Sequence, residues 1–375
     1  MTRTARSTLR LIGALLTTSL LAACATRIAY VPPVSEGFRV PEDFRVVGYF
    51  PSWSGDPTKI QYRALTHICY AFADPRMEGG YAQIDNIEKL VVLVALAHSN
   101  NVKVLLSLGG WNDGSTNAFD TIAADPELTE NFVSSLLDQL DYYDLDGIDM
   151  DWEFPTAATA ENFAGLMSAL STKLHAAGKE LSVAVSANDW SGKHFLDSII
   201  EDVDFLSIMA YDDGYGMPPG IQHSSYWFAR AALDYWEGIR RVPRDKAVLG
   251  VPFYGRSLKD RHSISYFNLH TKDPRASASD VSGEFGYNGF DTLRAKAVNL
   301  ARARAGGIMI WQLNQDADGA DSLLNAIFDA IKEPVEPAPT AAPAPSAAAP
   351  APAVSPAPAV APAPAVAPAP GSTAP

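Results

Sequence analysis

Only two cysteines, Cys24 and Cys69, occur in 375 residues, so no disulfide framework can hold this chain together. Histidine is equally sparse. Seven are scattered, with no HxH, HExxH or mixed Cys/His cluster at ligand spacing, so nothing suggests zinc or haem. Lysine and arginine, 29 in all, are outnumbered by 43 acidic residues, for a formal net charge of −14. A surface of that sign repels nucleic acid and anionic headgroups and suits a neutral partner such as an uncharged polysaccharide. A GxSxG nucleophile elbow and a P-loop are both missing, which disfavours the hydrolases built on them.

The two ends differ in composition from the middle. Arg3, Arg6 and Arg10 precede an apolar stretch from Leu11 to Ala23 that is too short to span a bilayer as a mature helix. It ends Leu21-Ala22-Ala23-Cys24, which resembles the bacterial lipobox, where the cysteine is acylated after cleavage. Residues 1–23 therefore read as a lipoprotein signal peptide, Cys24 as the lipid attachment site and 24–40 as a tether. The expected product is an exported lipoprotein of the outer membrane, cell surface or periplasm, touching the membrane only through its anchor. Loss of the leader carries the formal charge to about −17. Residues 333–375 are almost entirely proline and alanine, without an aromatic, and cannot bury a core. As an extended polyproline-like tail of roughly 40 residues at about 3.1 Å each, they would reach about 130 Å.

Between the ends, residues 41–332 suffice for one large domain. Eight short apolar runs alternate with longer amphipathic segments: Arg45–Tyr49, Leu65–Phe72, Val102–Leu108, Leu145–Glu153, Leu181–Ser186, Phe205–Tyr211, Ala247–Tyr254 and Gly307–Leu313. Near-continuous apolarity is what parallel strands covered by helices require. The clearest helix opens Asp125-Pro126-Glu127, a capping aspartate followed by proline, and places Leu128, Phe132, Val133, Leu136, Leu137 and Leu140 on one face. Further helices are expected over Asn86–His98, Ala160–Ala177, Ser225–Ile239, Thr292–Ala305 and Ala320–Ile331. The pattern predicts an α/β fold, a (βα)8 TIM barrel, with its working groups at the C-terminal ends of the strands. A doubly wound sheet would need a glycine-rich turn after the first strand, and GYFPSW supplies none.

The stretch Asp146-Gly147-Ile148-Asp149-Met150-Asp151-Trp152-Glu153 carries the chemistry. On a strand, Asp149, Asp151 and Glu153 share one face while Ile148, Met150 and Trp152 share the other. The apolar set belongs under the helices, so the acids point into the barrel. Stacked carboxylates cannot all ionise, and one that keeps its proton near neutral pH serves as a general acid. Glu153, the longest and nearest the strand's C-terminal end, is the expected proton donor.

DGIDMDWE matches the DxxDxDxE signature of glycoside hydrolase family 18, the chitinases and their relatives, and the resemblance runs from Val46 to about Asp316. Ser107-Leu108-Gly109-Gly110-Trp111 resembles the family's SxGG segment, and Met209-Ala210-Tyr211-Asp212 its MxYD. Gly250-Val251-Pro252-Phe253-Tyr254-Gly255-Arg256 is similar to its seventh strand, and Ile310-Trp311 to its closing strand. The resemblance implies a retaining, substrate-assisted hydrolase of β-1,4-linked N-acetylglucosamine, as in chitin or chito-oligosaccharides, with no cofactor. Glu153 would protonate the glycosidic oxygen, and the sugar's own acetamido oxygen would attack the anomeric carbon to give an oxazolinium ion. Asp151 would stabilise that cation with Asp149 below it, and Tyr211 would donate to the acetamido oxygen. Asp212 would help hold the distorted sugar over Trp311. The same motifs place Ser107, Gly110, Trp111 and Met209 among the substrate-binding residues. Tyr49 and Trp111 are expected near the rim and Arg256 toward the cleft, whereas Trp53, Trp190, Tyr215 and Trp227 are expected to be ordinary packing.

The sequence departs from the pattern at Asp213-Gly214, where the family often has a bulky residue, and at Asn314, where aspartate is common. About 50 residues separate Gly255 from Gly306, too few for the large α+β domain of many relatives, so a shallower cleft is expected. A monomer is expected. Two other functions fit the motifs: an endo-N-acetylglucosaminidase acting on peptidoglycan or N-glycans, and a non-catalytic chitin-binding lectin.

Overall fold

The computed structural model describes residues 44–76, 80–111, 115–213 and 220–332. The signal peptide with Cys24, the 24–40 tether, Tyr215 and the 333–375 tail lie outside the described residues.

Eight parallel strands close into a barrel. β1 (Arg45–Pro51) pairs with β2 (His67–Arg76), whose far end runs on past the barrel and pairs antiparallel with β3 (Tyr81–Ile84). β4 (Lys103–Gly109), β5 (Gly147–Asp151), β6 (Glu180–Ser186), β7 (Phe205–Met209) and β8 (Ala247–Pro252) follow in spatial order. A small antiparallel sheet of β9 (Tyr254–Ser257), β10 (Ser263–Ser265), β11 (Val281–Ser282) and β12 (Phe285–Gly286) then interrupts the alternation. β13 (Gly307–Trp311) lies between β8 and β1 and closes the ring.

The helices wrap the outside: α1 (Ile87–Ser99), α2 (Ser115–Ala124), α3 (Pro126–Tyr143), α4 (Ala160–Ala176), α5 (Asp189–Gly192), α6 (Asp197–Asp202), α7 (Tyr226–Leu233), α8 (Tyr266–Lys272), α9 (Phe290–Ala303) and α10 (Leu323–Lys332). α8 packs with the small sheet rather than with the barrel strands. α3 shows how directly the local sequence acts. Asp125 Oδ1 accepts the Glu127 and Leu128 N–H groups at 2.8 and 3.1 Å, and Asp144 ends the helix in a left-handed conformation. Phe132, Val133, Leu136 and Leu140 are buried, and Leu128 and Leu137 half-buried. Full burial of such a side chain contributes roughly 1.5–3 kcal/mol.

Strand alternation divides the apolar residues into two cores. Val47, Tyr49, Cys69, Ala71, Leu105, Phe205, Val248 and Met309 fill the barrel's interior. Val46, Ile68, Val104, Ile148, Leu249 and Ile308 lie under the helices.

The differences from expectation fall at strand ends. The runs Leu145–Glu153, Phe205–Tyr211 and Ala247–Tyr254 outlast their strands, because hydropathy continues after the ladder partners stop. Glu153, Tyr211 and Asp212 therefore stand beyond β5 and β7, on the C-terminal face. The helix expected over Ser225–Ile239 is α7 followed by a π-helical turn, Asp234–Ile239. No large inserted domain is present among the described residues, but residues 254–286 do form the four-stranded sheet. Its strands of two to four residues are too short to show alternation in a sequence.

Candidate active site

Register assembles the bottom of the site. Ser107 of β4 pairs with Asp149 of β5, and Asp149 with Ser182 of β6, so three inward side chains meet in one layer. Ser107 Oγ and Tyr49 Oη donate to Asp149 Oδ2 at 2.8 and 2.7 Å, and Ser182 Oγ donates to Oδ1 at 2.6 Å. Asp149 is fully buried. Burial raises its pKa, and these three donors oppose that by favouring the carboxylate.

Two expectations are corrected here. Tyr49 was expected near the rim, but it is 1% exposed and lies inside the barrel, because it shares its face of β1 with the inward-pointing Val47. Ser107 was placed among the substrate contacts, but it is 0% exposed and spends its hydroxyl on Asp149.

Asp151, one pleat higher, is also buried, and its Oδ1 has no hydrogen-bond partner among the described residues. Burial, then the charges of Glu153 and Asp149, push its pKa well above the usual carboxylate range. Of this pair of strand carboxylates, Asp149 collects the donors, and Asp151 is the one whose charged form is more strongly disfavoured. On the opposite face, Trp152 is buried between Phe119, stacked at 5.2 Å, and Phe163, edge-on at 5.0 Å. That packing fixes which way the acids turn. Glu153 follows, and burial first and the Asp212 charge second push its carboxyl up to about 8.

The walls come from neighbouring strand ends. Gly109 and Gly110 turn with φ of +100° and +82°, and the Gly110 N–H donates to Asp151 O at 2.8 Å. A Cβ at Gly110 would stand 2.4 Å from the Phe72 ring, so the close approach of the turn after β4 to Phe72 requires glycine there. Gly250 of β8 similarly leaves space for Tyr211, whose Cε1 would lie 3.0 Å from an added Cβ. Burial raises the Tyr211 pKa well above 10, followed by the nearby Tyr254, Asp151, Glu153 and Asp212, so its hydroxyl remains a donor. Met209, at the end of β7, packs half-buried with the inner core.

Asp212 adopts a left-handed backbone, φ 60°. Its carboxylate takes a two-pronged contact from Arg256, Nε to Oδ1 at 2.7 Å and Nη2 to Oδ2 at 2.8 Å. Burial opposes ionisation of Asp212, but contacts from His223 and Arg256 outweigh it and hold the group well below the usual carboxylate range. Arg256, expected to reach toward the cleft, is engaged there by Asp212 and also bonds the Arg261 carbonyl.

The aromatic floor is layered. Trp311 stacks on Phe72 at 5.7 Å and tilts over Tyr49 at 5.4 Å, and Phe72 adjoins Trp53 at 6.0 Å. Trp111, Trp53 and Trp190 are 65%, 59% and 64% exposed. The packing role expected for Trp53, Trp190 and Trp227 is therefore corrected: none is in a core, and Trp227 stands exposed on α7. Phe154 packs edge-on against Trp190 at 5.3 Å, joining that ring to the residue after Glu153.

Sequence reasoning missed Ser182, Phe72, His223 and Tyr254. Only strand register signals Ser182. His223 is buried, contacts Asp212 at 3.4 Å and lies 5.0 Å from the Tyr254 ring, with no motif around it. Among the described residues no cluster of three or more His, Cys, Asp or Glu side chains could hold a metal, and no helix is long and apolar enough to cross a membrane.

The sequence model described as "Glycosyl hydrolases family 18" matches residues 45–316. The chain is 24% identical to the protein named Probable chitinase 10 of Drosophila melanogaster, over 78% of this chain but only 16% of that much longer protein. It is 26% identical to Chitinase 1 of Aphanocladium album, over 82% of this chain and 90% of the relative. Among solved structures it is similar to the family 18 chitinase from the chitin utilization locus of Flavobacterium johnsoniae. The TM-score is 0.70 at 29% identity, covering 77% of this chain and 94% of that one.

Proposed function

Belonging as it does to family 18 of the glycosyl hydrolases, the chain is a glycosidase, and we propose that it cleaves β-1,4-linked N-acetylglucosamine chains by substrate assistance. The observation that carries this reading is the placement of the two strand acids, Asp149 and Asp151. An ordinary retaining glycosidase needs an ionised carboxylate open to the anomeric carbon. Here the one that collects donors, Asp149, is fully buried under the site, and burial with the charges around it disfavours the ionised form of Asp151. The nucleophile is then the substrate's own acetamido oxygen.

In the proposed sequence Glu153 gives its proton to the glycosidic oxygen as the C1–O bond breaks. The acetamido oxygen bonds to C1 and forms the oxazolinium ion. Asp151 faces the acetamido N–H, Tyr211 donates to the carbonyl side, and Asp212 and Trp311 hold the sugar. Water then attacks C1 and gives its proton to Glu153, and the β configuration is retained. Cys24 as a lipid anchor at the cell envelope is part of the same proposal.

The test is hydrolysis of chitotetraose by the full chain, followed by NMR in the first minutes. Release of shorter oligomers as the β-anomer is expected. Initial α-anomer would sink the mechanism. Binding without cleavage would move the chain to the lectin function, and absence of both would direct the search to peptidoglycan or N-glycans.

A pH profile follows from the same geometry. The acid form of Glu153 is needed, and its pKa is pushed up to about 8, so kcat/KM should be flat below that point and fall as pH rises through it. A limb near the ordinary glutamate value of about 4.3 would mean that burial and Asp212 do not act on Glu153 as described.

A further inference from the structure

Lys296 sits on α9, on the outside of the barrel, and is 2% exposed. Among the described residues it forms no ion pair. Burial pulls its pKa down to about 7, with the Asp280 charge opposing. Burying an ammonium without a carboxylate partner is costly, so the placement calls for an account.

All three of its hydrogen bonds converge on one loop and one neighbour. Nζ donates to the Ser224 carbonyl at 3.0 Å, to Ser224 Oγ at 3.1 Å and to Asn288 Oδ1 at 2.7 Å. Asn288, itself buried, donates back to the same Ser224 carbonyl at 2.7 Å. Gln222 completes the hold on the loop by bonding the Tyr287 carbonyl at 2.7 Å.

The loop so fixed grips the end of β7. Ser224 Oγ donates to the Ala210 carbonyl at 2.9 Å, the Asp212 N–H points to His223 Nδ1 at 3.3 Å, and the Asp213 N–H donates to the His223 carbonyl at 2.9 Å. These contacts bracket the residue whose backbone is left-handed, a conformation disfavoured for a residue with a Cβ unless its surroundings hold it.

We propose that Lys296 is a positioning residue for Asp212, acting from outside the barrel through the 222–224 loop, so that the carboxylate and its Arg256 partner meet the sugar in one fixed place. This rests on the reading of Asp212 as a substrate-holding group. Lys296 itself touches no substrate. Small displacements of such groups are costly, since misplacement by about 1 Å can cost up to about 100-fold in rate.

The experiment is a double-mutant cycle on the full chain with a fluorogenic glycoside of N,N′-diacetylchitobiose, reading kcat and KM separately. Lys296→Met should lower kcat about tenfold with KM within about twofold; in an Asp212→Ala background the same change should cost less than about twofold more. A merely structural lysine would give the same loss in both backgrounds, and that additive result overturns the proposal, as does an unchanged kcat. If circular dichroism shows Lys296→Met to be unfolded, Ser224→Ala, which removes the hydroxyl that links Lys296 to the Ala210 carbonyl, decides by the same cycle. Its expected loss is about fivefold, again confined to the background with Asp212 intact. A wild-type chain inert on the substrate overturns the reading of the site and this proposal with it. An active wild type with additive losses overturns this proposal alone.

Discussion

Replacing Glu153 by glutamine should lower kcat on chito-oligosaccharides by a factor of about 10²–10⁴ while leaving binding nearly unchanged. The amide keeps the shape and the burial of the side chain but has no acidic proton. In the native chain that proton is retained near neutral pH because burial disfavours the carboxylate and Asp212, held ionised by Arg256 and His223, adds negative charge nearby. The sugar alcohol leaves poorly without protonation, whereas an activated aryl alcohol needs little help. The loss should therefore shrink by at least about tenfold on an aryl glycoside with an acidic leaving group. Steady-state kinetics on both substrates, with titration calorimetry for affinity, checks this. A variant within about tenfold of wild type on chitotetraose would remove Glu153 from the role of acid.

The orientation of the acids was legible because it depends on backbone geometry alone. A period of two puts Asp149 and Asp151 opposite Ile148, Met150 and Trp152, and the structure places the first pair inside and Trp152 among Phe119 and Phe163. The eight-strand barrel was legible for the same reason: eight apolar runs separated by helical faces leave few closed arrangements. What touches Asp149 was not, since Tyr49, Ser107 and Ser182 come from three different strands and meet only through register.

Long-range polar contacts were equally hidden. Arg256 and Asp212 are 44 residues apart and their pairing has no local signature. Lys296 reads in the sequence as an ordinary charged position on a helix. Exposed tryptophans defeat composition as well, because Trp53 and Trp190 have the same hydropathy as the buried Trp236. The acids are arranged in pairs of opposite habit: Asp149 collects donors while Asp151 is pushed toward its neutral form, and Asp212 is held ionised while Glu153 is pushed up to about 8. Each upward shift is due first to burial and then to a neighbouring negative charge.

That arrangement yields a second large effect. Asp151→Asn should reduce kcat by about 10²–10³, the cost typical of removing one group aimed at developing charge. Asp151 Oδ1, unpartnered among the described residues, is the atom left to meet the acetamido N–H. In the proposed mechanism the oxazolinium cation forms beside this side chain, where a carboxyl can become negative and an amide cannot. The alkaline limb near pH 8 should meanwhile move by less than about half a unit, because burial and Asp212, not Asp151, raise Glu153. The two readouts separate the roles. A large loss with a fixed limb assigns Asp151 to the cation. A limb that moves by about a whole unit would show Asp151 ionised in the resting enzyme, contrary to the neutral form toward which it is pushed. Near-native kcat would leave the oxazolinium ion without its proposed partner and return the nucleophile to a carboxylate.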